Sequence, residues 1–112
     1  MKLVILVEDD ILFVRAIKRT LTEFNILSFN TSEEFFNFNL IFEEINKAEY
    51  FLIDFHLGGE INILNSGIYE KILEFKNEEA KIISISSDKE ALKDRCDLYA
   101  GKNIDFIKFI LT

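Results

Sequence analysis

Hydrophobic residues in this chain follow two different spacings, and the alternation between them predicts the secondary structure. Short continuous apolar runs are typical of strands buried on both faces of a sheet, whereas apolar residues every three or four positions indicate amphipathic helices. The apolar runs predict five strands, at residues 2–7, 25–30, 50–55, 81–86 and 98–101. The helical spacing predicts five helices, at residues 10–24, 31–47, 67–77, 87–96 and 103–112.

The predicted strands and helices alternate along the whole chain. A strand that is followed by a helix and then by another strand gives parallel pairing, with helices packed on the sheet. We therefore predict an α/β fold: one domain over residues 1–112, with a doubly wound five-stranded parallel sheet and helices on both faces. In such sheets, ligands bind beyond the carboxyl ends of the strands.

Composition narrows the class of protein. The chain has 112 residues, of which 49% are hydrophobic, and a net charge of −7, which argues against nucleic acid or an anionic membrane as a partner. Cys96 is the only cysteine, so neither an intramolecular disulfide nor a thiolate metal site is expected. No apolar run is long enough for a signal peptide or a membrane helix, so we expect a cytoplasmic location.

Polar and charged side chains follow several of the predicted strands. In chain order they are Glu8, Asp9, Asp54, Ser86 and Lys102. Adjacent parallel strands lie about 5 Å apart, so these side chains are expected to share one pocket. Three neighbouring carboxylates need a counter-charge, and oxygen ligands favour Mg²⁺ over Zn²⁺. A carboxylate beside Mg²⁺ can also act as a nucleophile toward phosphorus.

The chain as a whole resembles the response regulator receiver domain of two-component signalling. The resemblance rests on "VEDD" after the first strand, "LID" at the end of the third, "IISIS" in the fourth and a lysine after the fifth. It implies a flavodoxin-like receiver fold, Mg²⁺ as cofactor and Asp54 as the phosphoacceptor. It also implies a histidine kinase or a histidine phosphotransfer protein as the phosphodonor, and a downstream effector protein or a phosphorelay as the output.

The resemblance also implies which residues hold the metal ion. Glu8 and Asp9 would be the acidic pair, with Asp9 the more direct ligand. Asp54 and the backbone carbonyl of His56 would complete the set of protein ligands. Asp10, the third acid of the triplet, would begin the first helix.

The remaining roles depend on which lysine enters the pocket. Ser86 would be the hydroxyl that turns toward the phosphoryl group. Lys102 puts Tyr99 at the aromatic position that responds to Ser86, and it leaves residues for a last helix. Lys108 keeps the usual spacing from Ser86 but leaves no last helix. We favour Lys102, because a sheet face without a helix would expose apolar surface.

Two other functions are compatible with the same residues. A degenerate receiver would bind a protein partner without being phosphorylated. A Mg²⁺-dependent phosphohydrolase would also use an aspartyl nucleophile, but it usually needs a second acid shortly after Asp54, where "DFHLGG" offers only His56. We therefore expect limited self-catalysed phosphorylation and dephosphorylation, and not a metabolic enzyme.

Overall fold

Five parallel strands form one sheet at the centre of the computed structural model, which describes residues 1–112. The strands are β1 (Leu3–Val7), β2 (Asn25–Phe29), β3 (Tyr50–Ile53), β4 (Lys81–Ser84) and β5 (Leu98–Tyr99). Their spatial order is β2-β1-β3-β4-β5, so the direction of winding reverses between β1 and β3. The predicted doubly wound fold is therefore confirmed.

Helices cover both faces of the sheet. They are α1 (Ile11–Thr20), α2 (Ser32–Asn37), α3 (Ile41–Lys47), α4 (Ile68–Phe75) and α5 (Ile104–Leu111). Helices α1 and α5 pack on one face, and α2, α3 and α4 pack on the other. The longest helix has ten residues, and none has the length and apolar content of a membrane span.

Strand β1 shows why the central strands are continuous apolar runs. Ile5 and Val7 belong to the core under α2, α3 and α4, whereas Val4 and Leu6 belong to the core under α1 and α5. All four side chains are fully buried. A strand that is covered on both sides has no solvent-facing position, so its sequence does not alternate with polar residues.

The predicted helix over residues 31–47 is wrong in its middle, because the chain forms two short helices there. Thr31 caps α2 by accepting a hydrogen bond of 3.1 Å from the backbone N–H of Glu34. The chain then turns, and Leu40 adopts a left-handed conformation with φ of 66° before α3. Apolar residues on both sides of the turn pack against the same core, so the hydrophobic pattern did not reveal the break.

The predicted helix over residues 87–96 is also wrong, because this segment forms turns. Leu92 is its only buried residue, so a helix there would have little apolar face to bury. Polar side chains bind the backbone instead. Ser86 Oγ accepts from the N–H of Asp88, and Asp88 Oδ1 accepts from the N–H of Glu90, at 3.1 and 3.0 Å.

Asparagine side chains order the long connection between β3 and α4. The Asn62 side chain accepts hydrogen bonds from the N–H groups of Leu64 and Asn65, both at 2.8 Å. Asn62 also pairs with His56 as an isolated antiparallel bridge, and Ile63 is fully buried. This segment therefore forms a compact hairpin-like turn beside the carboxyl end of the sheet.

We expect Leu40→Gly to stabilise the protein by about 0.5–1 kcal/mol, because glycine adopts a left-handed conformation without a steric penalty. Leu40 is 56% exposed, so little packing is lost. Urea unfolding would measure the change. Leu40→Ala is the matched control: it loses the same side chain but keeps the strained Cβ, so it should not stabilise. Equal effects of the two substitutions would contradict this explanation.

Candidate functional site

The pairing of β1 with β3 places two carboxylates side by side at the carboxyl end of the sheet. Val7 and Ile53 are register partners, so Glu8 and Asp54 follow at the same level. The backbone N–H of Asp54 donates to the carbonyl of Val7 at 2.9 Å, which continues the pairing beyond the strands. The predicted convergence of these two acids is confirmed.

Glu8 is a buried carboxylate with few compensating partners. It is 1% exposed, and its Oε2 accepts a hydrogen bond of 3.1 Å from the backbone N–H of Asp10. Burial raises the pKa of Glu8 from its ordinary value of 4.5 to about 7, and the negative charge of Asp54 adds to the rise. The hydrogen bond from Lys102 lowers the pKa but does not cancel the effect of burial.

Lys102 is the lysine that reaches the acids. Its ammonium contacts Glu8 Oε1 and lies 3.4 Å from Asp54 Oδ2. Lys108 is exposed on α5, so the preference for Lys102 agrees with the geometry. The last helix that this choice requires is present and begins at Asn103, whose side chain accepts from the N–H of Phe106 at 3.0 Å.

Asp54 has one oxygen bound to the backbone and one directed to the lysine. Oδ1 accepts a hydrogen bond of 2.9 Å from the N–H of Phe55, and Oδ2 faces Lys102. The residue is 7% exposed, so the carboxylate is largely screened from water. A carboxylate held in this way keeps its orientation, and its free oxygen lies beside a positive charge.

Asp9 brings a third carboxylate to the same place. One carboxylate oxygen from each of Glu8, Asp9 and Asp54 lies within 4.8 Å of the others. Asp9 is the exposed member of the group, so it faces the side from which a ligand would enter. When all groups are ionised, the three acids and Lys102 sum to a charge of −2. Three carboxylates are suitable ligands for a divalent cation that prefers oxygen donors.

His56 lies beside the cluster but contributes no imidazole nitrogen to it. The side chain is exposed, and its ring packs edge-on against Phe55 at 4.8 Å between centroids. No hydrogen bond within the chain engages its backbone carbonyl, which leaves that oxygen available to a cation. Its role as a metal ligand stays a prediction.

Ser86 and Tyr99 are linked to each other through the backbone. The Tyr99 hydroxyl donates a hydrogen bond of 2.8 Å to the carbonyl of Ser86, and Ser86 itself is 1% exposed. Gly101 permits this arrangement, because a Cβ at that position would lie 2.9 Å from the Tyr99 oxygen. The structure thus joins Tyr99 to the backbone of Ser86, whereas the Ser86 hydroxyl accepts from the N–H of Asp88.

Two residues near the pocket escaped the sequence interpretation. The ring of Phe13 lies beside Lys102, with 4.7 Å from the ammonium nitrogen to the ring centroid. Gly101 has no side chain, which leaves room for the Tyr99 hydroxyl. The sequence around them does not indicate a role at the pocket, since Phe13 fits an ordinary helical pattern and Gly101 is typical of a turn.

Comparisons with known proteins agree on the fold. No family model and no curated protein matches the sequence. A two-component response regulator from Clostridium difficile superposes with a TM-score of 0.75 at 18% identity, over 99% of this chain and 93% of that one. A CheY-like receiver domain from Methylobacillus flagellatus gives 0.73 at 18% identity, over 99% and 96%.

A third similar structure is a response regulator from Burkholderia pseudomallei, described with a phosphorylated aspartic acid, a calcium ion and citrate. It superposes with a TM-score of 0.72 at 19% identity, over 100% of this chain and 67% of that one. The fold is that of a response regulator receiver domain. The expected receiver fold is therefore confirmed over the whole chain, while the roles of the individual residues in the pocket stay predictions.

We expect Lys102→Met to destabilise the protein by roughly 1–3 kcal/mol at about pH 8 without divalent cations, because buried Glu8 loses its counter-charge. The loss should be smaller at about pH 6. The pKa of Glu8 is higher in the folded protein than its ordinary 4.5. Protonated Glu8 therefore contributes its full stabilisation of the folded protein below pH 4.5. That contribution is lost as the pH rises through about 7.

Urea unfolding of the wild type and both lysine variants, at both pH values, would measure these changes. Lys108→Met is the matched control, since that lysine lies exposed on α5, and it should shift stability by less than about 0.5 kcal/mol. A pH-independent loss in Lys102→Met, or an equal loss in Lys108→Met, would contradict the assignment of Lys102 to the pocket.

Proposed function

We propose that this chain is a response regulator that accepts a phosphoryl group on Asp54 from the phosphohistidine of a histidine kinase or a histidine phosphotransfer protein. One observation carries the proposal: the free oxygen of a largely buried aspartate lies 3.4 Å from Lys102, within a cluster of three carboxylates. The phosphorylated aspartic acid in the B. pseudomallei regulator supports the same chemistry for this fold.

The transfer uses Asp54 as a nucleophile. Its Oδ2 supplies the electron pair for a new O–P bond, while the P–N bond to the donor imidazole breaks and returns its electron pair to the ring nitrogen. The imidazole leaves as a neutral ring, because its other nitrogen carries a proton. Lys102 neutralises charge on the transferred oxygens. Hydrolysis restores Asp54 when water attacks phosphorus and the same O–P bond breaks.

A divalent cation fits the pocket, and we propose Mg²⁺. Glu8, Asp9 and Asp54 would hold it, with the backbone carbonyl of His56. The support is the excess negative charge of three converging carboxylates beside a single lysine. When bound, Mg²⁺ would neutralise charge on the phosphoryl oxygens. The protein's own part is to keep three mutually repelling groups in place before any ligand arrives.

The output would pass through Ser86 and Tyr99 to a downstream effector protein. Phosphorylation adds negative charge and acceptor oxygens, which the Ser86 hydroxyl can bond. The Tyr99 hydroxyl is bound to the Ser86 carbonyl, so a displacement of Ser86 would alter the position of the aromatic side chain. We also propose that the protein acts in the cytoplasm and that it is not a metabolic enzyme.

The central experiment is incubation with Mg²⁺ and phosphoramidate, followed by intact mass measurement. We expect a mass gain of one phosphoryl group that is lost in Asp54→Asn and on chelation of the metal. Asp9→Asn should slow the reaction at least about tenfold, because it removes one acid that holds the cation.

Asp10→Asn is the matched control for charge. Asp10 caps α1 by accepting from the N–H groups of Leu12 and Phe13, and asparagine caps a helix equally well. Its rate should stay close to that of the wild type. If the wild type gains no phosphoryl group with either phosphoramidate or a phosphohistidine protein, the chain acts as a degenerate receiver and our proposal is wrong.

A further inference from the structure

An aromatic ring forms one wall of the pocket around Lys102. The ammonium nitrogen of Lys102 lies 4.7 Å from the centroid of the Phe13 ring, within the range of a cation–π interaction. The same nitrogen contacts Glu8 and lies 3.4 Å from Asp54. The cation is therefore bounded by two carboxylates and one aromatic ring, while the side chain stays 31% exposed.

The first turn of α1 fixes the position of Phe13. Asp10 Oδ1 accepts hydrogen bonds from the backbone N–H groups of Leu12 and Phe13, at 3.0 and 3.3 Å. Phe13 is partly buried against the core under α1 and α5, whereas Ile11 and Leu12 are 51% and 74% exposed. The ring is thus anchored at its base by the helix cap and on one side by the core.

A lysine needs such anchoring more than most side chains do. Its four-carbon stem has many rotamers, and a free ammonium is strongly hydrated. Lys102 lies in the short connection between β5 and α5, and its side chain is 31% exposed. An aromatic face attracts the cation through its quadrupole and also displaces water from one side of it. Both effects favour the conformation in which the ammonium stays at the acids.

We propose that Phe13 is a positioning residue for phosphoryl transfer: its ring holds the Lys102 ammonium beside Asp54. The role rests on the proposed function, because Lys102 would act on the phosphoryl oxygens there. The Phe13 ring has no group that can react with phosphorus, so its role is confined to the placement of Lys102. The ring raises the fraction of molecules in which Lys102 is in place. Its removal should therefore slow phosphorylation without abolishing it.

The first readout is the NMR signal of the Lys102 ε-methylene protons in the full chain without phosphodonor. In the wild type the ring current of Phe13 should shift this signal upfield. The shift should disappear in Phe13→Leu and persist in Phe13→Tyr. Phe109→Leu is the matched control, because Phe109 is 75% exposed on α5 and should leave the signal unchanged. This readout does not depend on phosphorylation.

The second readout is the rate of phosphorylation by phosphoramidate with Mg²⁺. We expect Phe13→Leu to be slower by about two- to fivefold, and Phe13→Tyr to restore the rate. Replacing Phe13 with trifluorophenylalanine keeps the shape of the ring but weakens its attraction for a cation. That variant should also be slower, with a thermal unfolding midpoint like that of the wild type, and it replaces Phe13→Leu if the leucine variant fails to fold.

A trifluorophenylalanine variant that reacts at the wild-type rate, or a Phe13→Leu variant that keeps the upfield shift, would overturn the positioning role. A Phe13→Tyr variant as slow as Phe13→Leu would overturn it as well. If the wild type takes no phosphoryl group, the proposed function fails, and the NMR comparison still decides whether the ring holds Lys102.

Discussion

Mutual repulsion among three carboxylates is the constraint that the fold overcomes at the carboxyl end of its sheet. The register of β1 against β3 fixes Glu8 and Asp54 at one level, and Asp9 follows immediately. Extensive burial of apolar side chains on both faces of the sheet supplies the free energy that keeps these acids together. Lys102 offsets only part of the charge, so the pocket is predisposed to bind a cation or a proton.

The three consecutive acids share this region but have different roles. Glu8 points into the protein and pairs with Lys102, Asp9 remains exposed at the entrance, and Asp10 caps α1. The cap matters for the pocket because it sets the first turn of the helix that carries Phe13. One short stretch of sequence therefore supplies a buried carboxyl group, an exposed carboxylate and a helix cap, each facing a different environment.

The segment between β4 and β5 differs from the rest of the structure in how little it buries. Residues 87–96 form turns with Leu92 as their only buried side chain, and β5 has two residues. Segments with few buried contacts rearrange at low cost in free energy. Ser86 and Tyr99 flank this segment and are joined by a hydrogen bond, so a switch located there would meet little resistance from packing.

The sequence by itself determined the five strands, the parallel fold and the meeting of Glu8 with Asp54, because apolar runs report burial and strand order brings the strand ends together. The structure alone decided the break between α2 and α3 at Leu40, the turns over residues 87–96 and the position of Phe13 over Lys102. These features depend on which distant residues become neighbours: Phe13 lies on α1, whereas Lys102 follows β5 near the other end of the chain. Local periodicity carries no information about a contact of that kind, which forms only when the sheet and its helices have packed.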